Sequence, residues 1–178
     1  MDNKHLKIFK LDKVADLSPR VATWYAIMND SREYLIEIIE GLDEDALDFT
    51  PNDKTIETIG TLLMHIAGVE WSWIFEDIDG VEMDFERFKY GFALRPNVNI
   101  PQIKEKSKQF YLDELKYVRE QVYKRLCKLK DKELEEMVGS GEQKYTIEWI
   151  LFHIAEHEMM HIGQILLLKR MFKLHNPS

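Results

Sequence analysis

Apolar positions recur at three- and four-residue steps in four stretches of the chain and lose that period between them. The first, residues 18–40, opens on Ser18-Pro19, a helix cap followed by a proline suited to the first turn. It carries Trp24, Ile27, Met28, Leu35, Ile38 and Ile39, and Gly41 follows as a stop. The second, residues 55–75, has Thr55 as its expected cap and the stripe Leu62, Ile66, Val69 and Trp73. The third, residues 101–130, opens on Pro101 and lines up Tyr111, Leu115, Val118, Val122, Leu126 and Leu129. Its abundant Lys and Glu read as a solvated face. The fourth, residues 146–172, places Ile150, Ile154, His157, His161, Ile165 and Leu168 on one line, and Lys169, Arg170 and Lys173 close it as the helix dipole favours.

The connections differ in kind. Residues 42–54 are acidic and hold Leu42, Leu47 and Phe49, expected to tuck beneath the helices. Residues 77–99 break all periodicity, with Gly80, Gly91 and Pro96 set among Phe85, Phe88, Tyr90 and Phe92. A connection of that length in a compact domain is a lid, a binding loop or an Ω-like loop packed by its own aromatics. Gly139 and Gly141 mark the turn before the fourth helix. Four helices with one long connection predict an all-α four-helix bundle with a long crossover, one domain over the 178 residues with its core about 18–173. A short echo accompanies this plan. Thr55-Ile56-Glu57 and His65-Ile66-Ala67 recur as Thr146-Ile147-Glu148 and His153-Ile154-Ala155, with a gap that differs by three residues, about one helical turn.

Charge and composition narrow the function. The net charge of −8 argues against nucleic acid or an anionic membrane as the main partner. No apolar run reaches spanning length, the N-terminus lacks a signal-peptide core, and the single cysteine, Cys127, excludes an intrachain disulfide. The expected location is the cytoplasm. Cys127 itself reads as an inert core or border residue.

The chemistry lies in histidines. His153, His157 and His161 are four apart on the fourth helix, and positions four apart share a face. A ring that faces the core needs partners for two nitrogens, and a metal ion supplies one to each ring. His153 and His161 lie roughly 12 Å apart along the axis at ~1.5 Å per residue, too far to share one ion. The chelating pair is therefore His157 with His161 or His153 with His157, and only the former lies wholly on the apolar line. His65 sits beside the stripe of the second helix and is the natural third ligand, which leaves His153 a packing or supporting role. Three protein ligands leave a position open, as in catalytic sites, and imidazoles suit zinc, nickel, copper or iron. Glu70, Glu156 and Glu158 lie near the histidines in sequence; any could orient a ligand's second nitrogen, but each reads first as an exposed surface carboxylate. His157-Glu158-Met159-Met160-His161 also fits the His-Glu-x-x-His pattern of zinc proteases. That reading fails for want of a third ligand downstream, and Glu158 is rotated roughly 100° from His157, away from the ion.

Ile59-Gly60-Thr61-Leu62-Leu63-Met64-His65 with Glu70, and His157-Glu158-Met159-Met160-His161-Ile162-Gly163-Gln164, resemble the DinB-like (DinB/YfiT-like) metalloenzymes, over about residues 19–172. The resemblance implies a four-helix bundle holding a divalent ion, zinc or nickel, on His65, His157 and His161. Characterised members include S-transferases that use low-molecular-weight thiols such as bacillithiol, and a mycothiol-dependent maleylpyruvate isomerase. Ile162 stands where many relatives carry arginine, so no role of that arginine transfers. The expected function is metal-dependent transfer of a small thiol to an electrophilic small molecule, with a homodimer allowed. Metal-dependent hydrolysis and a non-catalytic, metal-stabilised stress-response module are the alternatives. Thiol transfer ranks above hydrolysis because metal coordination itself deprotonates a thiol. The aromatic segment from Phe85 to Phe92 is expected to cover the acceptor.

Overall fold

The computed structural model describes residues 10–51, 56–94, 102–139 and 142–177. Four long helices dominate it: α1 (Pro19–Glu40), α3 (Ile59–Trp71), α5 (Lys108–Leu126) and α6 (Ile147–His175). Between them lie two short helices, α2 (Glu44–Asp48) and α4 (Phe85–Phe88), and a two-stranded antiparallel hairpin, β1 (Met137–Val138) with β2 (Tyr145–Thr146). The fold is all-α apart from that hairpin.

Helix starts follow capping chemistry. Thr58 Oγ1 accepts the Thr61 N–H at 3.0 Å to open α3, and Thr146 does the same for Trp149 at 3.1 Å to open α6. The expected cap Thr55 lies outside the described residues, and α3 starts one turn later than its apolar pattern suggests. Its last turns widen into a π-helical segment, Ser72–Ile78. Pro101 also lies outside the described residues, and α5 begins only at Lys108, where Ser107 accepts the Phe110 N–H at 3.2 Å. Ser18 precedes α1 as expected but makes no capping bond; its hydroxyl donates to the Leu129 carbonyl. Leu42 and Leu47 are buried around α2, and Phe49 packs edge-on against Phe172.

Each long helix packs on two others: α1 on α6 and α5, α3 on α5 and α6. Contacts give the directions. Arg20 pairs with Glu148 and Arg32 with Glu158, so α1 and α6 run parallel. Glu70 pairs with Arg119 and Asp79 with Arg125, so α3 and α5 also run parallel. Parallel neighbours cannot be joined by a tight turn, and the chain between Ile78 and Lys108 is the long crossover that brings it back. Part of that return, the 3-10 segment Lys89–Leu94, packs along α3, which explains why almost every residue of α3 is buried.

At the centre each long helix contributes one charged side chain. Arg32, Glu70, Arg119 and Glu158 form a closed quartet, and the glutamates are 2% and 1% exposed. Arg32 Nε donates to Glu158 at 2.6 Å and its Nη2 to Glu70 at 2.7 Å. Arg119 Nε donates to Glu70 at 2.6 Å and its Nη2 to Glu158 at 3.1 Å. The remaining guanidinium nitrogens donate to the Leu115 carbonyl and to Asn29 Oδ1. Burial alone would raise the Glu70 pKa, but the charges of Arg119 and Arg32 outweigh it and hold the carboxyl below its usual range. The reading of Glu70 and Glu158 as exposed carboxylates is thus overturned: both sit on the core line of their helices.

The quartet obeys a two-fold relation that the caps also reveal. Counted from Thr58 and Thr146, α3 and α6 align without a gap at a shift of 88 residues. Thr58, Ile59, Leu63, His65, Ile66, Ala67, Glu70 and Ile74 recur as Thr146, Ile147, Leu151, His153, Ile154, Ala155, Glu158 and Ile162. The same exchange swaps Arg32 with Arg119 and the α1–α6 pair with the α5–α3 pair. The three-residue gap in the sequence echo arises from starting at Thr55 rather than at the true cap.

Candidate metal centre

His65 projects from α3, and His157 and His161 from α6, which runs antiparallel to α3 at this face. Their Nε2 atoms converge: His157 lies 3.1 Å from His65 and 3.1 Å from His161. Among the described residues these three form the cluster of His, Cys, Asp and Glu side chains with the spacing to hold a metal ion. Bonds of ~2.0–2.1 Å place ligand nitrogens about 2.9 Å apart at right angles and about 3.4 Å apart at tetrahedral angles. The observed separations lie between those values.

The far side of each ring decides its tautomer. His65 Nδ1 donates to the Gly91 carbonyl at 2.6 Å, and His161 Nδ1 donates to Gln164 Oε1 at 2.6 Å. Both rings therefore turn an Nε2 lone pair toward the centre, the orientation that ion ligation requires. His157 Nε2, between the other two, either carries its proton toward one of them or offers a third lone pair to a shared cation. The charged imidazolium is disfavoured here. Burial and the neighbouring His161, His65 and His153 push the His157 pKa down to about 3, and burial lowers that of His161 against the opposing pull of Gln164 and Glu57. The donor set fits a divalent transition-metal ion.

Gly91 is required by close approach. A Cβ there would meet the Met64 carbonyl oxygen at 2.9 Å, so only glycine lets the covering segment lie on α3 with its carbonyl on His65. With an ion on the three nitrogens, Gly91→Ala is expected to weaken metal affinity by roughly 10- to 100-fold while leaving helix content unchanged. Competition against a chelating dye measures it, and unchanged affinity would remove the Gly91 carbonyl from the account.

Beside the trio lies a cavity of about 670 Å³, lined by His65 and His157 and continuing past Trp73, Tyr145, His153 and Phe92. That volume falls within the range of small-molecule sites. His153 stays out of the trio, as its offset from the apolar line suggests. Its ring stacks on Trp149 at 4.7 Å, and its Nδ1 lies 3.2 Å from Glu156. The aromatic segment does only part of what is expected of it: Phe92 lines the cavity, Phe88 is buried against Trp71, and Phe85 is exposed. Glu158 faces the quartet rather than the trio, so no protease-like base adjoins the centre from that position. Sequence reasoning missed the ring ladder Tyr145, Trp149, His153, although its four-residue spacing continues that of the histidines.

The sequence profile of the DinB superfamily matches residues 28–165. The chain is similar to the uncharacterized protein YkkA of Bacillus subtilis (strain 168), 24% identical over 162 residues that span 89% of this chain and 91% of that protein. It also resembles, in fold alone, the crystal structure of a conserved protein from Enterococcus faecalis. There the TM-score is 0.62 at 15% identity, covering 83% of this chain and 93% of the other.

Proposed function

The chain belongs to the DinB superfamily, and from that premise we propose that His65, His157 and His161 hold one divalent ion, zinc or nickel, serving a small-molecule reaction in the adjoining cavity. The observation that carries this reading is shared lining: His65 and His157 belong both to the trio and to the cavity wall. An ion there supplies a Lewis acid whose open position lowers the pKa of a thiol or a water. The Gly91 carbonyl and Gln164 keep two of the rings in the ligating tautomer. Hydrolysis further needs a proton acceptor beside the ion. Glu158, the carboxylate between two of the ligands in sequence, is bound instead by Arg32 and Arg119. Transfer of a small thiol to an electrophile, in which coordination itself would deprotonate the nucleophile, ranks first.

Two assays on metal-loaded protein test the reading: conjugation of a chromogenic electrophile with a panel of small thiols, and hydrolysis of activated esters. The expected result is thiol conjugation that His65→Ala abolishes. Ester turnover without conjugation, lost in Glu158→Gln under conditions where that variant stays folded and metal-loaded, would reverse the ranking.

A further inference from the structure

The two-fold relation extends to the cavity. Under the 88-residue shift, His65 maps to His153, and His157 and His161 map back to Val69 and Trp73. The rings honour the mapping. His65 meets His161 edge-on at 4.9 Å and 84°, and their counterparts His153 and Trp73 meet edge-on at 5.3 Å and 82°. The metal centre thus has a structural twin across the α3–α6 face, and both open on the same cavity. In the twin, Val69 and Trp73 have replaced two of the imidazoles, so no trio of ligands remains. What stands there is a rigid aromatic group. Tyr145, Trp149 and His153 stack in sequence with interplanar angles of 19° and 10°, and Trp73 crosses all three at 72–89°.

We propose that this aromatic end of the cavity is the binding subsite for a flat, π-bonded portion of the substrate that carries no negative charge, held beside the centre that acts on it. Aromatic rings fixed by one another lose little freedom on binding, and they favour flat partners by offset or edge-to-face contact. The described residues lining the cavity include Asp77 and no Lys or Arg, so a negative charge at this end would lose hydration and find a carboxylate rather than a cation. Twinning explains why the subsite lies where it does: the shape that positions an ion at one end positions a ring at the other. The inference rests on the metal-dependent reading for the chemistry next door, but it fails or stands separately, because binding is read without turnover.

The test is calorimetric titration of metal-loaded full-length protein with three probes: naphthalene-2-methanol, its saturated decahydro analogue and naphthalene-2-sulfonate. The flat alcohol is expected to bind at least tenfold more tightly than either of the others. Trp73→Leu and Tyr145→Leu should each weaken it about tenfold with metal content unchanged. Wild-type protein stripped of metal with EDTA should still bind it within a few-fold. Equal affinity for the flat and saturated alcohols, tighter binding of the sulfonate, or full binding by both aromatic variants while circular dichroism shows them folded would overturn the proposal. Loss of naphthalene-2-methanol binding in the stripped protein, with the two aromatic variants unaffected, would place the probe on the metal centre and likewise overturn it.

Discussion

Glu158→Gln is expected to destabilise the fold by about 3–5 kcal/mol, the cost of leaving a buried charge without its counter-ion. The isosteric change removes one negative charge from a closed quartet, so Arg32 and Arg119 must share Glu70 alone. Both arginines are buried and meet water only at the edge of a cavity of about 380 Å³ beside α1 and α5, so solvent can recover little of the lost pairing. Arg32 cannot shed its proton either, because a guanidinium stays charged in proteins whatever its surroundings. In urea unfolding followed by circular dichroism, a slope of ~2 kcal/mol/M turns that loss into a midpoint lowered by roughly 1.5–2.5 M. The two-fold relation adds a sharper demand, because Glu70→Gln should cost the same to within about 1 kcal/mol. Replacing all four residues by apolar ones of similar volume should recover most of the loss, as a balanced removal leaves no orphan charge. A loss below about 1 kcal/mol for Glu158→Gln would mean that water reaches the quartet.

The quartet also shows where single-sequence reasoning stops. Helix number, the long connection and the shared face of His157 and His161 are legible as spacing within single stretches of sequence, and His65 joins them through its place beside an apolar stripe and through the family resemblance. The quartet is not, because a lone Glu on an amphipathic helix is read as surface unless its partners are known, and here they lie on three other helices. A local clue existed. Glu70 falls between Ile66 and Ile74, and Glu158 between Ile154 and Ile162, each four residues away, so both stand on the apolar line itself. On α6 the buried line runs Ile150, Ile154, Glu158, His161, Ile165, Leu168, with Glu158 where the sequence reading put His157. His157 sits on the flank, half-buried, which is what lets it face both the cavity and the trio. Helix starts were misplaced for another reason. Thr55 and Thr58 are equally good caps by composition, and only the tertiary position of α3 selects between them.

Removal of the ion is expected to have the other large effect, on stability as well as on chemistry. An ion bound across α3 and α6 stabilises the native chain by about 4 kcal/mol when its free concentration is 1,000 times Kd. Chelation with EDTA should therefore lower the melting temperature of the wild-type protein and leave that of His65→Ala, His157→Ala and His161→Ala unchanged, because those variants should purify with little metal. His153→Ala should retain the ion and respond like wild type. Acid should act in the same direction. In the metal-free fold His157 and His161 stay neutral, their pKa values pressed below the ordinary 6.5, to about 3 for His157. The unfolded chain takes up protons there from about pH 6.5 downward. Unfolding then binds protons, so stability present above that range falls as the pH drops below about 6.5, by at most ~1.4 kcal/mol per pH unit for each histidine, and for His157 the fall continues toward about 3. Protons also compete for the ligand nitrogens of any state that binds the ion, so the melting-temperature gap between loaded and chelated protein should narrow at pH 5.5 relative to pH 7.5. Elemental analysis and thermal melts at the two pH values decide the matter. Undiminished metal in all three alanine variants would refute the trio, and loss confined to His153→Ala would move the centre one turn along α6.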